Sequence, residues 1–100
     1  MGNVNLRGQV VLSNNFHGTY AVKIFEGEIS IIEVPSQPAL NIGVVLSGNL
    51  ESLGAQHLVN ETNGDLLEVF VESVYCSIEE ALCCLGFKQE DITSLAEEDF

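Results

Sequence analysis

Apolar and polar residues alternate between residues 4 and 12, which is the pattern of a half-buried β-strand. One face of this strand would carry Val4, Leu6, Val10 and Leu12, and the other would carry Asn5, Arg7 and Gln9. Residues 13–18 follow with asparagine and glycine, which tolerate positive φ, and we therefore expect a turn there.

A β-hairpin is predicted between residues 20 and 34. The segments 20–25 and 28–34 are both rich in β-branched and aromatic residues, and only Glu26 and Gly27 separate them. A two-residue loop that ends in glycine is typical of a tight hairpin connection. Within the first segment, Tyr20, Val22 and Ile24 would share one face.

A fourth strand is predicted after a proline-bracketed connection. Pro35 ends the third strand because proline has no N–H to donate to a sheet, and Pro38 follows three residues later. Alternation then resumes and continues to a Ser-Gly-Asn turn at 47–49. The apolar residues of this strand would be Leu40, Ile42, Val44 and Leu46.

Residues 50–59 fit neither pattern well. Leu50, Leu53, His57 and Leu58 would lie on one face of a helix. Gly54 disfavours that helix, and no longer periodic run supports it.

Residues 60–86 admit two interpretations, of which we favour a strand followed by a helix. Asn63-Gly64 is a hairpin turn signal, and a strand over 65–75 would direct Leu67, Val69, Val71 and Tyr75 inward. Ser77 and Glu80 then have the spacing of a capping box at the start of a helix over 78–85. Gly86 suits the position just after the helix.

The alternative is one continuous helix of about twenty residues through the same region. Its apolar stripe would consist of Leu67, Phe70, Val71, Val74, Ile78, Ala81, Leu82 and Leu85. The density of Val, Phe and Tyr before Ser77 favours the strand. The predicted fold class is therefore α+β, an antiparallel sheet of about five to six strands with a C-terminal helix packed on it.

Length and composition predict a single domain, because 100 residues with 46% apolar content can bury one core. Within it we distinguish a β-rich scaffold over 1–49 and a mixed acidic half over 50–86. Residues 87–100 would form an acidic tail, which we expect to be mobile. With neither a long apolar run nor a cationic leader, the sequence predicts a cytoplasmic protein.

Negative charge is concentrated in the second half of the chain. The formal net charge is −12; residues 1–50 hold three acids and two bases, whereas residues 51–100 hold twelve acids and one base. Proteins that bind nucleic acid or anionic membranes electrostatically need an excess of Lys and Arg instead. The sequence therefore argues against both kinds of partner.

The three cysteines, together with His17 and His57, are the other residues that suggest chemistry, as possible metal ligands. Cys76, Cys83 and Cys84 are odd in number and crowded together, which indicates a reducing compartment rather than a disulfide scaffold. The chain has neither the paired spacing of zinc ligands nor a glycine-rich phosphate loop. Glu79 and Glu80 would raise the thiol pKa, which opposes nucleophilic catalysis. We expect no enzymatic activity, no metal and no cofactor.

The acidic side chains are the feature that stands above background. If residues 65–75 form a strand, Glu68 and Glu72 share one face about 13 Å apart; on a helix they would be about 6 Å apart. Solubility alone is the competing explanation for such acidity. We expect an acidic partner-binding face made by Glu61, Asp65, Glu68, Glu72, Glu79 and Glu80.

A dense negative field suits a basic groove on another protein. We expect a stoichiometric binder or inhibitor of a basic protein, such as a nuclease or another nucleic-acid-handling protein. Immunity proteins and phage anti-defence inhibitors that mimic nucleic acid fill this physical role. The alternative is a homo-oligomeric acidic adaptor, or a module like a secretion chaperone, with no inhibitory role. A homodimer is compatible with both, because the apolar content is high for so small a domain.

Overall fold

The computed structural model describes residues 5–14, 18–35 and 40–86. Its elements are Leu6–Asn14 (β1), Thr19–Ile24 (β2), Ile29–Glu33 (β3), Val45–Gly48 (β4), Gly54–Asn60 (β5), Leu66–Cys76 (β6) and Ile78–Cys84 (α1). All strand pairs are antiparallel, and the sheet closes into a barrel in the order β1-β2-β3-β6-β5-β4. The predicted antiparallel sheet with a helix packed on it is confirmed, whereas its closure was not predicted. The predicted tail over 87–100 lies outside the described residues.

Two Greek keys build the barrel. Strands β1 to β3 form a meander, and β4 returns to pair with β1 from Leu6↔Gly48 to Gln9↔Val45. The second half repeats the pattern, because β6, β5 and β4 are neighbours and β6 also pairs with β3. Since the sheet is closed, each of these six strands pairs with a neighbouring strand on both sides, although the short β4 covers only part of β1 and β5.

Alternation places one apolar set inside the barrel. The interior consists of Val10, Tyr20, Val22, Ile24, Ile32, Val34, Leu40, Leu46, Leu50, Leu58, Leu67, Val69 and Val71. Its buried polar groups are paired: the Ser30 hydroxyl donates to the Leu50 carbonyl at 2.7 Å, and the Tyr20 hydroxyl accepts from the Leu40 amide at 3.1 Å. Burying these groups therefore leaves their hydrogen bonds satisfied.

The helix packs on the outside of the barrel over a second apolar cluster. This cluster consists of Ala21, Ile29, Ile31, Cys76, Ala81 and Leu85. The predicted capping box is present, because the Ser77 hydroxyl accepts from the Glu80 amide at 3.1 Å and the Glu80 carboxylate accepts from the Ser77 amide at 2.9 Å. Gly86 follows with a φ of 91°, which favours glycine. The alternative of one continuous helix is wrong.

Extra residues in β1 and β6 overturn two predicted side-chain directions. In β1 the register shifts between Val10 and Leu12, so Leu12 packs toward the helix cluster instead of the barrel interior. In β6 the register shifts twice near its end, where Tyr75 has a φ of 58° and is 60% exposed. The same shifts turn Cys76 under the helix. Each bulge rotates the residues that follow it, which strict alternation does not foresee.

Two further predictions in the middle of the chain are corrected. The strand expected from residue 40 begins only at Val45, because Asn41 to Val44 form a turn with the Val44 amide donating to the Asn41 carbonyl at 3.2 Å. Ile42 in that turn is 62% exposed. The helical interpretation of residues 50–59 is wrong, since β5 places Leu58 inside and His57 outside.

Candidate functional site

The outward side chains of β5 and β6 remain exposed along the barrel wall. Directly opposite pairs in this hairpin are Val59 with Leu66, His57 with Glu68, and Ala55 with Phe70. On the other side of β6, Phe70 stands opposite Glu33 of β3. We call this surface the open face; it comprises Glu33, Ala55, His57, Val59, Leu66, Glu68, Phe70 and Glu72.

Apolar and acidic side chains alternate along the open face. Because Leu67 and Val69 point into the barrel, Leu66, Glu68 and Phe70 must point out. Leu66 is 62% exposed and Phe70 is 49% exposed. Exposed apolar side chains next to charged ones are typical of a protein interaction surface.

Two carboxyl groups of the open face lie side by side. The side chains of Glu72 and Glu33 approach closely enough to share a hydrogen bond. That hydrogen bond, followed by partial burial and repulsion from the Glu33 charge, raises the pKa of Glu72. A nearby cation would relieve this repulsion, so the pair favours binding positive charge.

Glu68 lies near one basic side chain of the open face, His57. Its carboxylate lies 3.6 Å from the imidazole Nε2 of His57, and both side chains are well exposed. Because both side chains are exposed to solvent, an ion pair between them would be weak. Glu68 therefore contributes negative charge to the open face.

Glu61 belongs to a different arrangement, in which its charge is already neutralised. Arg7 donates to its carboxylate from Nε at 3.0 Å and from Nη2 at 2.8 Å. The guanidinium also lies over the Phe25 ring, 5.4 Å from the centroid. The hydrogen bond from Arg7 is the largest cause that lowers the pKa of Glu61. We call Arg7, Phe25 and Glu61 the Arg7 patch.

The other predicted face residues have separate positions. Asp65 is exposed in the turn between β5 and β6, where its backbone bonds to Asn60 and Asn63. Glu80 caps the helix through its carboxylate. Glu79 is exposed in the first helical turn. Of the six predicted residues, only Glu68 and Glu72 belong to the open face.

Sequence reasoning missed Glu33 and the apolar members of the open face. Glu33 lies in the half of the chain that carries little net charge, and only strand pairing brings it beside Phe70. The signal for Leu66 and Phe70 was present, because both alternate with the inward Leu67 and Val69. Two exposed apolar residues in phase with Glu68 indicate a mixed surface rather than a purely acidic one.

A groove of about 660 Å³ runs between the end of β6 and α1. Its lining includes Tyr75, Glu79, Cys83 and Cys84. Both helix cysteines are exposed, whereas Cys76 is buried. Burial raises the pKa of the Cys76 thiol, and Cys84, Glu80 and Glu28 raise it further. The arrangement therefore disfavours the thiolate that nucleophilic catalysis requires at Cys76.

Across residues 5–14, 18–35 and 40–86, no group of three or more His, Cys, Asp or Glu is arranged to hold a metal ion. The same part of the chain contains no helix of sufficient length and apolar character to cross a membrane. No family model, curated protein or solved structure matches the chain.

Proposed function

We propose that this protein is a stoichiometric binder of a basic protein surface, acting by occupancy rather than by catalysis. The observation that carries this proposal is the set of three carboxylates on the open face, Glu33, Glu68 and Glu72. Of the Lys and Arg side chains in the described residues, Arg7 is held by Glu61, and Lys23 donates to the carbonyls of Ile24 and Gly27. Neither cation neutralises the open face.

A basic partner supplies what this surface lacks. Its Lys and Arg residues would neutralise the three carboxylates, and its apolar side chains would cover Leu66 and Phe70. Charge complementarity of this kind accelerates association, and apolar contact slows dissociation. A nuclease or another nucleic-acid-handling protein is the class of partner that fits, because its functional surface is basic.

Salt-dependent retention on the immobilised protein tests the proposal. We expect basic proteins in a cell lysate to be retained at low salt and released as ionic strength rises, since screening weakens exposed charge pairs. Replacing Glu33, Glu68 and Glu72 by Gln should abolish most of this retention. The matched control replaces Glu26, Glu28 and Glu51, whose side chains are not on the open face, and should retain the same proteins.

The control separates this function from simpler explanations. Equal loss in both triple variants would mean that net charge alone attracts the partner, and the open face would have no specific role. Retention that neither variant alters would contradict the proposal and favour solubility as the reason for the acidity.

The second candidate is a homo-oligomeric adaptor, which the exposed Leu66 and Phe70 favour. Self-association through these side chains would bury apolar area and persist at high salt. Sedimentation analysis at low and high salt distinguishes the candidates. An oligomer that dissociates in a Leu66→Ser, Phe70→Ser variant supports the adaptor, whereas a monomer at both salt concentrations supports the binder.

A further inference from the structure

Aromatic and carboxylate side chains occur together at two places on the outside of the barrel. In the Arg7 patch, Phe25 and Glu61 hold a guanidinium between them, with three hydrogen-bond contacts to the carboxylate and the ring centroid at 5.4 Å. On the open face, Phe70 stands opposite Glu33, and Glu33 lies beside Glu72. The open face therefore has an aromatic ring and two carboxylates, but none of the described residues supplies a guanidinium between them.

The two places also share their strand geometry. In the Arg7 patch, Phe25 directly follows β2 and lies beside Arg7 of β1, because the Phe25 amide donates to the Arg7 carbonyl at 2.9 Å. On the open face, Phe70 has Ala55 as its neighbour on β5 and Glu33 as its neighbour on β3. Ala55 is exposed and short, and Phe70 beside it is 49% exposed.

Resting on the function proposed above, we propose that the open face docks an arginine-bearing segment of the basic partner. The guanidinium would lie against the Phe70 ring and bind the carboxylates of Glu33 and Glu72, while apolar neighbours in the segment would contact Leu66 and Val59. The charge of the face and its exposed apolar side chains together select this occupant.

Arginine fits this surface better than lysine. Its planar guanidinium stacks on an aromatic ring and offers several N–H donors in one plane, so it engages ring and carboxylates together. A lysine ammonium is a compact, strongly hydrated charge that gains less from the ring. A second copy of this chain is a poor occupant, because its own open face carries the same negative charge.

Capped tripeptides provide the test, with binding followed by NMR on the isotope-labelled protein at low salt. The probes are Leu-Arg-Leu, Leu-Lys-Leu and Leu-citrulline-Leu, the last of which keeps the shape of arginine without its charge. We expect the arginine peptide to shift the signals of Glu33, Phe70 and Glu72. It should bind about three- to tenfold more tightly than the lysine peptide. The citrulline peptide should not reach saturation.

Substitutions within the face locate the site. Phe70→Ala should weaken binding of the arginine peptide by about two- to fivefold, and replacing both Glu33 and Glu72 by Gln should weaken it more. The matched control is Phe25→Ala, which removes the ring that Arg7 already covers and should leave peptide affinity unchanged. Ala55→Arg should place a guanidinium beside Phe70 from within the chain and block the peptide.

Each contrary outcome has a distinct meaning. Equal affinity for the arginine and lysine peptides, with Phe70→Ala and Ala55→Arg both without effect, would overturn the arginine site. If the variant with Gln at both Glu33 and Glu72 lost affinity, the proposed binding of a basic protein surface would be retained. If no cationic peptide shifts the open-face signals, both the arginine site and the function proposed for this face are overturned.

Discussion

Two parts of the outer barrel wall differ in what covers them. Ile31 of β3 lies under α1 and is fully buried, whereas Glu33, two residues further along the same strand, belongs to the open face. On β6, Cys76 is under the helix and Phe70 is half exposed. Both parts use outward side chains of the same paired strands.

The comparison shows that outward-facing strand residues have two different roles in this barrel. Under α1 they are apolar and contribute to stability through burial. On the open face they alternate between apolar and acidic, and because most of them are exposed their burial contributes little to stability. Most side chains of the open face therefore remain accessible to solvent.

Matched truncations should show the largest difference in stability between the two parts. Ile31→Ala should lower the free energy of unfolding by about 2–4 kcal/mol, because it creates a cavity beneath the helix. Leu66→Ala on the open face should change it by less than about 0.5 kcal/mol, since the side chain is largely exposed. Urea unfolding monitored by circular dichroism measures both. Equal losses would contradict the difference in burial between Ile31 and Leu66.

The stability of α1, the helix that covers one part of the wall, can be lowered without changing the apolar residues beneath it. Ser77→Ala should cost about 1 kcal/mol, because the hydroxyl satisfies the Glu80 amide at the start of α1. The control Glu79→Gln leaves both hydrogen bonds of the capping box in place and should cost much less. A loss below about 0.3 kcal/mol for Ser77→Ala would mean that the cap does not hold the helix on the barrel.

The open face should destabilise the fold slightly at neutral pH. Because the folded-state pKa of Glu72 is raised, the folded protein binds a proton more readily than the unfolded chain, and stability falls as pH rises through that pKa. Glu72→Gln should therefore stabilise the protein at pH 7 by up to about 0.5 kcal/mol. The gain should vanish when the pH is lowered below the unfolded-state pKa of Glu72. A destabilised variant at pH 7 would contradict the repulsion between Glu33 and Glu72.

The Arg7 patch should show a small effect of opposite sign. Its pairing lowers the pKa of Glu61, so its contribution is present above the unfolded-state pKa and is lost as pH falls through the folded-state value. Glu61→Gln should lower the thermal midpoint at neutral pH, and the difference should disappear in acid. A difference that persists in acid would indicate that side-chain shape, rather than charge, matters at this position.

Local signals predicted the local parts of this fold. The β2–β3 hairpin and the Ser77–Glu80 capping box follow from residues close in sequence, and both are present. Turning Leu12 and Tyr75 away from the interior depends on bulges that strand pairing sets, and pairing involves residues distant in sequence. The open face was only half predicted for the same reason, because Glu33 reaches Phe70 through β3–β6 pairing.

Closure of the barrel has a consequence for how the protein folds during synthesis. Until β6 is made, the order of the remaining strands leaves β3 and β5 unpaired on one side. Both strands would then expose backbone donors and acceptors that attract other chains, and three of the five residues of β3 are isoleucine. A chain truncated before Leu66 should therefore aggregate. During synthesis, β3 and β5 can pair on this side only after β6 has left the ribosome.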